Sequence, residues 1–351
     1  MMLQGHFIDT LLAIEYRDPD NIAYSTWLYF RGITAPVFFT ISGLIFTYLL
    51  IKAKEKGTLS IRIRKGLVRG LMLIGIGYAL RIPIFRWLTG KFGTYFMVID
   101  VLQCIGLSLI LIVSIYLLAR KKTLIFSVVM LCLGTLIFLC EPLFRTYSAE
   151  RIPLFFANYL TKVNGSVFTI LPWFGYMAYG AFIATLFYGY LTRPKFKTGL
   201  ITGFFVTGLI LVYGSTPVFL ELAKLINWTL LTEVANFNYL FIRLGNVLVI
   251  FGLFYVFEDY LKQPVVLIIG QKTLSIYVIH FILLYGSFTG LGLNQILGKV
   301  LTPFEVVFGA ICFLVTVSLI SIYIIKANTH IYKYIIDKLH YLKSLTKFLN
   351  N

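Results

Sequence analysis

Apolar residues along this chain come in long runs separated by short polar or basic stretches. The runs extend from about Ile33 to Ile51, Leu67 to Ile84, Val98 to Leu118, Thr123 to Cys140, Val167 to Leu191, Leu200 to Val218, Tyr239 to Phe257, Pro264 to Tyr285 and Phe304 to Ile325. A helix needs about 20 apolar residues to cross a bilayer, and a helix satisfies its own backbone hydrogen bonds there. A shorter run, Met1–Leu12, comes first; it reads as the second half of a helix begun upstream. The pattern therefore predicts an all-α integral membrane bundle of about ten transmembrane helices, the first truncated. Residues 1–351 read as a single membrane domain ending in a basic tail, 326–351. The stretch Glu15–Tyr29 reads as a loop or interfacial turn, and a long polar loop holds Glu141, Arg145, Glu150, Arg151 and Lys162.

Composition supports that class: 59% of residues are hydrophobic and only 13% charged, where soluble domains carry about 25%. A formal net charge of +17 would suit nucleic acid, but the basic residues sit between apolar runs, where topology signals belong. Lys52–Arg69, Arg120–Lys122, Arg193–Lys197, Glu258–Lys272 and the tail together hold 20 Lys and Arg against 4 Asp and Glu; the opposite side holds 11 and 10. The positive-inside rule makes the first side cytoplasmic. Both termini then lie in the cytoplasm, provided the first helix is completed upstream, and a bacterial inner membrane fits. Cys104, Cys132, Cys140 and Cys312 lack metal or redox spacing. No metal site is expected.

With sidedness fixed, the helical rise sets depth. His6 and Asp9 fall near the outer end of the first run, three residues apart and so on one helix face. Arg31 lies at the outer mouth of the second run and Arg81 toward the outer end of the third. Asp100 with Gln103, Arg243 with Asn246, and Tyr277 with His280 repeat the three-residue spacing at similar depth; Trp173 enters from outside. Ionisable residues inside a bilayer are costly and normally face one another or a cavity. One outward-opening polar chamber is the simplest arrangement. Duller readings stand beside it: a helix-end His6, a bundle histidine at His280, an ion pair of Asp100 with Arg81 or Arg243, a flanking anchor at Arg31, and an interfacial-belt Trp173. The basic loop Lys52–Arg69 reads first as a topology determinant, and more sharply as a phosphate patch for a nucleotide-bearing donor.

Several stretches carry a family likeness. GHFIDTLL followed by RGITAPVFFTISGLIFTYLL resembles the start of the heparan-alpha-glucosaminide N-acetyltransferase-like membrane family. DVLQCIGLSLIL resembles that family's VLQRxG helix, with Cys104 where an arginine is common. LPWFGYMAYGAFIA resembles its PWxG helix, and IIGQKTLSIYVIHFILL the late helix shared with wider membrane acyltransferases. The family's opening Arg/Asp segment is absent. The resemblance implies transfer of an acyl group, usually acetyl from acetyl-CoA, to a sugar-like acceptor across the membrane, and His6 matches its histidine near the outer end of the first helix.

Acyl transfer needs a base for the acceptor and a group that steadies the developing oxyanion. Histidine has a suitable pKa, improved by a carboxylate that fixes its tautomer. His6 with Asp9 or Asp100 meets that need as general base or transient acyl carrier; His280 with Tyr277 is the second pair. Arg31, Arg81, Gln103, Trp173, Arg243, Asn246 and Tyr277 form the expected substrate-binding set. The expected partners are membrane lipid, an acyl-CoA donor (acetyl-CoA or another) and a carbohydrate acceptor; no nucleic acid is expected, and a homodimer is compatible. A transporter or flippase for a glycan or lipid-linked substrate is the alternative, weakened by the lack of a clearly interrupted helix pair in the sequence. A degenerate family member that assists surface-polysaccharide assembly is a third.

Overall fold

The computed structural model describes residues 1–323; the basic tail 326–351 lies outside them. The described chain is helical, with one isolated parallel bridge between Leu12 and Leu301. The helices used below are α1 (Met2–Leu11), α2 (Ile22–Glu55), α3 (Leu59–Ala79), α4 (Val101–Leu118), α5 (Thr123–Leu139), α6 (Ile170–Tyr190), α7 (Phe196–Ile226), α8 (Tyr239–Val256), α9 (Pro264–Gln271), α10 (Thr273–Tyr285) and α11 (Pro303–Tyr323). The protein is a polytopic helical membrane protein, and within the described residues each expected apolar run is mostly helical. Among the described residues six segments are long and apolar enough to cross a bilayer: α2, Thr94–Leu118, α6, α7, α8 and α11; the bent pair α9–α10, taken as one span, would make a seventh. Helix α5 has 17 residues, and the first half of α3 carries Arg62, Arg64, Lys65 and Arg69.

Two expectations need correction. Residues 22–29 are helical, not loop: the Asn21 side chain accepts from the backbone N–H groups of Ala23 and Tyr24 at 3.0 and 3.2 Å, which starts α2 early. The run Pro264–Tyr285 is not one straight helix. It breaks at Lys272 into α9 and α10, bent by 64°.

The chain forms two compact units, Met1–Asp18 with the chain from Asp259 onward, and Pro19–Glu258. In the larger unit three helix pairs meet backbone to backbone at glycines. A Cβ on Gly43 of α2 would strike the Met177 carbonyl of α6, and one on Gly180 of α6 the Thr40 carbonyl of α2. Gly70 and Gly106 join α3 to α4 in the same reciprocal way, with hypothetical Cβ–carbonyl distances of 2.8 and 2.5 Å; Gly208 and Gly245 join α7 to α8 at 2.8 and 2.6 Å. In lipid the hydrophobic effect does not drive helices together, so close packing at small residues has to.

The smaller unit fixes α1 by its end and its side. Ala13 N–H donates to the Leu301 carbonyl and Leu301 N–H to the Leu11 carbonyl, both at 3.0 Å. The Phe7 ring lies against Gly309, where a Cβ would come within 2.9 Å, and against Phe313 at 5.1 Å between centroids.

Gly180→Leu should lower the melting temperature and monodisperse yield of the detergent-solubilised protein, because overpacking costs about 1–3 kcal/mol and a backbone obstacle cannot rotate away. Gly189→Ala should behave as wild type, since nothing lies within 4 Å of a Cβ there. Fluorescence-detected size exclusion after a heating series reads both; equal melting of the two variants would contradict the packing account.

Candidate functional site

The expected site residues fall in two sets, one in each unit. In the smaller unit, His6 on α1 meets α10. The His6 and His280 rings stack with centroids 5.2 Å apart and planes inclined by 26°. His6 Nδ1 lies 3.1 Å from the Tyr285 hydroxyl, to which Thr10 Oγ1 also donates at 3.4 Å. Tyr277 meets His280 edge-on at 5.0 Å and is buried. His280 is fully buried, and its Nδ1 lies 3.3 Å from the Ile276 carbonyl. A carbonyl can only accept, so His280 carries its proton on Nδ1 when neutral.

The Tyr285 hydroxyl bears on His6 chemistry in a similar way. When His6 Nδ1–H donates to it, Nε2 is left with a lone pair, the form a base or nucleophile needs. Asp9 is engaged with Arg17: the carboxylate lies 4.0 Å from Nη1, while Arg17 Nη2 donates to the Asp9 and Leu12 carbonyls at 2.8 Å each. Arg17 thus caps the C-terminal carbonyls of α1, where a cation is favoured.

In the larger unit Asp100 is the N-cap of α4. Its Oδ1 accepts from Val101 N–H and its Oδ2 from Arg81 Nη2, each at 2.8 Å. Gln103 Oε1 accepts from Asp100 N–H at 3.2 Å, closing a capping box. The Gln103 side chain fills the space a Cβ on Gly77 would need. The Arg81 guanidinium also lies 5.0 Å from the Tyr95 ring centroid. This cluster fixes where α3 and α4 meet. Cys104, one residue on, is fully buried, and its thiol donates to the Thr169 carbonyl at 3.5 Å.

Helices α2 and α8 bring a third group together. The Arg243 guanidinium lies over the Tyr239 ring at 5.1 Å and beside Gly32, where a Cβ would sit 3.2 Å from Nη2. Pro36 has no N–H for the Gly32 carbonyl, so the α2 ladder opens at that level. Arg243 makes no ion pair among the described residues, which leaves its planar fork able to take an oxyanion. Asn246, three residues on, accepts from the Tyr29 hydroxyl at 2.8 Å. Arg31 lies 5.7 Å from the Trp27 ring. Trp173 is only 9% exposed and packs on Phe168, Phe39 and Tyr176 at 4.7, 5.1 and 5.8 Å, so it belongs to the core of this unit rather than to an interfacial belt. In the nearby loop desolvation pulls the Lys162 ammonium below the usual lysine range; Glu141 opposes that and Arg243 adds to it.

Sequence reasoning missed Tyr285, Thr10, Arg17 and Tyr29. Thr10 was within reach, four residues from His6 on the same face. Tyr277, Phe281 and Tyr285 form a ladder at helical spacing that marks one face of α10; nothing in the sequence says which helix that face meets.

Asp100→Ala removes both the cap and the ion pair. Breaking a buried pair costs about 3–5 kcal/mol, so the folded fraction in a denaturant series should fall well below wild type. Asp100→Asn, which can still cap α4, should fall between them. A melting curve for Asp100→Ala that overlays wild type would contradict the structural role.

Compared with known proteins, the family model described as "Heparan-alpha-glucosaminide N-acetyltransferase, catalytic" matches residues 1–220, more than half of the chain. The match includes His6, Asp9, Arg31, Arg81, Asp100, Gln103 and Trp173, and stops before Arg243, Asn246, Tyr277 and His280. Neither the curated proteins nor the solved structures contain a match.

Proposed function

This chain belongs to the heparan-alpha-glucosaminide N-acetyltransferase catalytic-domain family, and from that premise we propose that it is an integral-membrane acyltransferase. It moves an acetyl or other acyl group from a cytoplasmic acyl-CoA to a sugar or glycan-like acceptor at the outer side of a bacterial inner membrane. The observation that carries the reading is the His6 cluster: a half-buried imidazole midway along α1, held between a second imidazole and a tyrosine hydroxyl, within the family match.

In the proposed reaction His6 Nε2 removes the proton from the acceptor hydroxyl or amine as that atom attacks the thioester carbonyl. The new C–O or C–N bond forms, the C–S bond breaks, and the thiolate leaves with the proton His6 took up. In the carrier variant Nε2 attacks the thioester carbonyl, the C–S bond breaks and the CoA thiolate leaves; the acceptor then attacks the acyl-imidazole, the N–acyl bond breaks, and Nε2 takes the acceptor's proton and passes it to the thiolate. Tyr285, steadied by Thr10, orients the imidazole; His280 stacks against it. Within the larger unit, Arg243 is the proposed contact for a carboxylate or phosphate, and Arg31, Asn246 and Trp173 are further proposed ligand contacts of that unit. Arg81, Asp100 and Gln103 serve through the architecture of α3 and α4, and Asp9 with Arg17 through the end of α1.

A transporter for a glycan or lipid-linked substrate keeps one specific observation in its favour. Helices α9 and α10 form a broken pair, the kind of interruption that transporters use to line a substrate path.

His6→Ala should abolish transfer of labelled acetyl from acetyl-CoA in membranes while the protein still inserts. Tyr285→Phe, which keeps the ring and loses the hydroxyl, should cut kcat by roughly 10-fold or more, because the imidazole loses the group that fixes its tautomer and orientation. Undiminished transfer by His6→Ala would remove the assignment.

A further inference from the structure

A groove of about 450 Å³ runs along the larger unit between α6 and α7, wholly apart from the polar clusters above. Its floor is the hydrophobic cluster of Ile183, Phe204 and Leu248. On the α7 side it is lined by Gly199, Gly203 and Thr207, one helical turn apart. A Cβ on Gly199 or Gly203 would meet nothing within 4 Å, so these glycines are not there for close helix packing, unlike Gly208 further along the same helix. They leave a channel on the apolar flank of a membrane helix.

One end of the groove has a different character. It closes at the α6–α7 connection, where Arg193 lines it. The Arg193 guanidinium lies 4.7 Å from the Tyr190 ring, and neither it nor Lys195 makes an ion pair among the described residues. The next cation, Lys197, is engaged: it pairs with Glu258 at 2.7 Å. Arg193, which lines this end, and Lys195, two residues on in the same connection, are therefore two uncompensated cations beside the end of an apolar channel between two membrane-spanning helices. An amphiphile with an anionic head and a long apolar tail matches both ends of that site, and basic pockets between transmembrane helices hold such headgroups. A free oxyanion would match only the mouth.

We propose that this groove binds one anionic glycerophospholipid, with an acyl chain along Gly199, Gly203 and Thr207 and the headgroup phosphate at Arg193 and Lys195. The site is independent of the acyl-transfer reading and does not involve His6.

The test is native mass spectrometry of the delipidated full chain titrated with phosphatidylglycerol or phosphatidylcholine of matched acyl chains. The first phosphatidylglycerol should bind roughly tenfold more tightly than phosphatidylcholine, as expected for one or two basic contacts near the surface. Arg193→Gln with Lys195→Gln, both exposed positions, should bring the two lipids level. Gly203→Leu, which fills the channel from an open position, should weaken the first binding of both. Inorganic phosphate at millimolar concentration should displace neither. Equal wild-type affinities, a headgroup preference that survives the double substitution, undiminished first binding in Gly203→Leu, or displacement by inorganic phosphate would each overturn the proposal.

Discussion

A polar side chain placed among apolar helices has to find its partner inside the protein, because no water reaches it and an unmade hydrogen bond there costs a kcal/mol or more, roughly. That constraint recurs throughout the structure. Ser127 and Thr185 bond each other at 2.7 Å between α5 and α6, and Thr135 and Tyr179 repeat the device at 2.9 Å. Asn238 reaches Ser215 and Thr216 at 2.6 and 3.0 Å. Arg81 with Asp100, and His6 with Tyr285, are the ionisable versions of the same arrangement. Each pair specifies which helices meet and at what height, information that apolar surface alone does not carry.

The glycine contacts supply the complementary part. Pairs such as Gly43 with Gly180 bring backbones together, and the polar pairs then have fixed distances to satisfy. In the smaller unit a ten-residue helix carries His6, and its position rests on the strap to Leu301, the Arg17 cap and the Phe7–Gly309 contact. The role proposed for His6 needs its imidazole held within a fraction of an ångström, and these restraints act on a helix of only ten residues.

The apolar runs were legible because length and hydropathy are properties of a single segment, and within the described residues each of them holds helix. The start of α2 was not: IAYSTWLY looks like an interfacial turn until the Asn21 cap is recognised. The break between α9 and α10 hides in a continuous apolar run, marked only by Gly270, Gln271 and Lys272. Among candidate residues, two of the four three-residue spacings are neighbours in the structure, and for different reasons. Asp100 and Gln103 are three apart because a capping box needs it, a signal the sequence does contain. Tyr277 and His280 are three apart because they share a packed face. The partner of His6 is 279 residues away on another helix, and no local pattern encodes such a meeting.

The account stands or falls on group transfer across the bilayer. Proteoliposomes that present labelled acetyl-CoA at one face and an amino sugar at the other would test it directly. Label should appear on the sugar, with a rate proportional to donor concentration, while the sugar itself stays on its own side. Sugar that crosses unlabelled and without donor would contradict acyl transfer and establish transport instead.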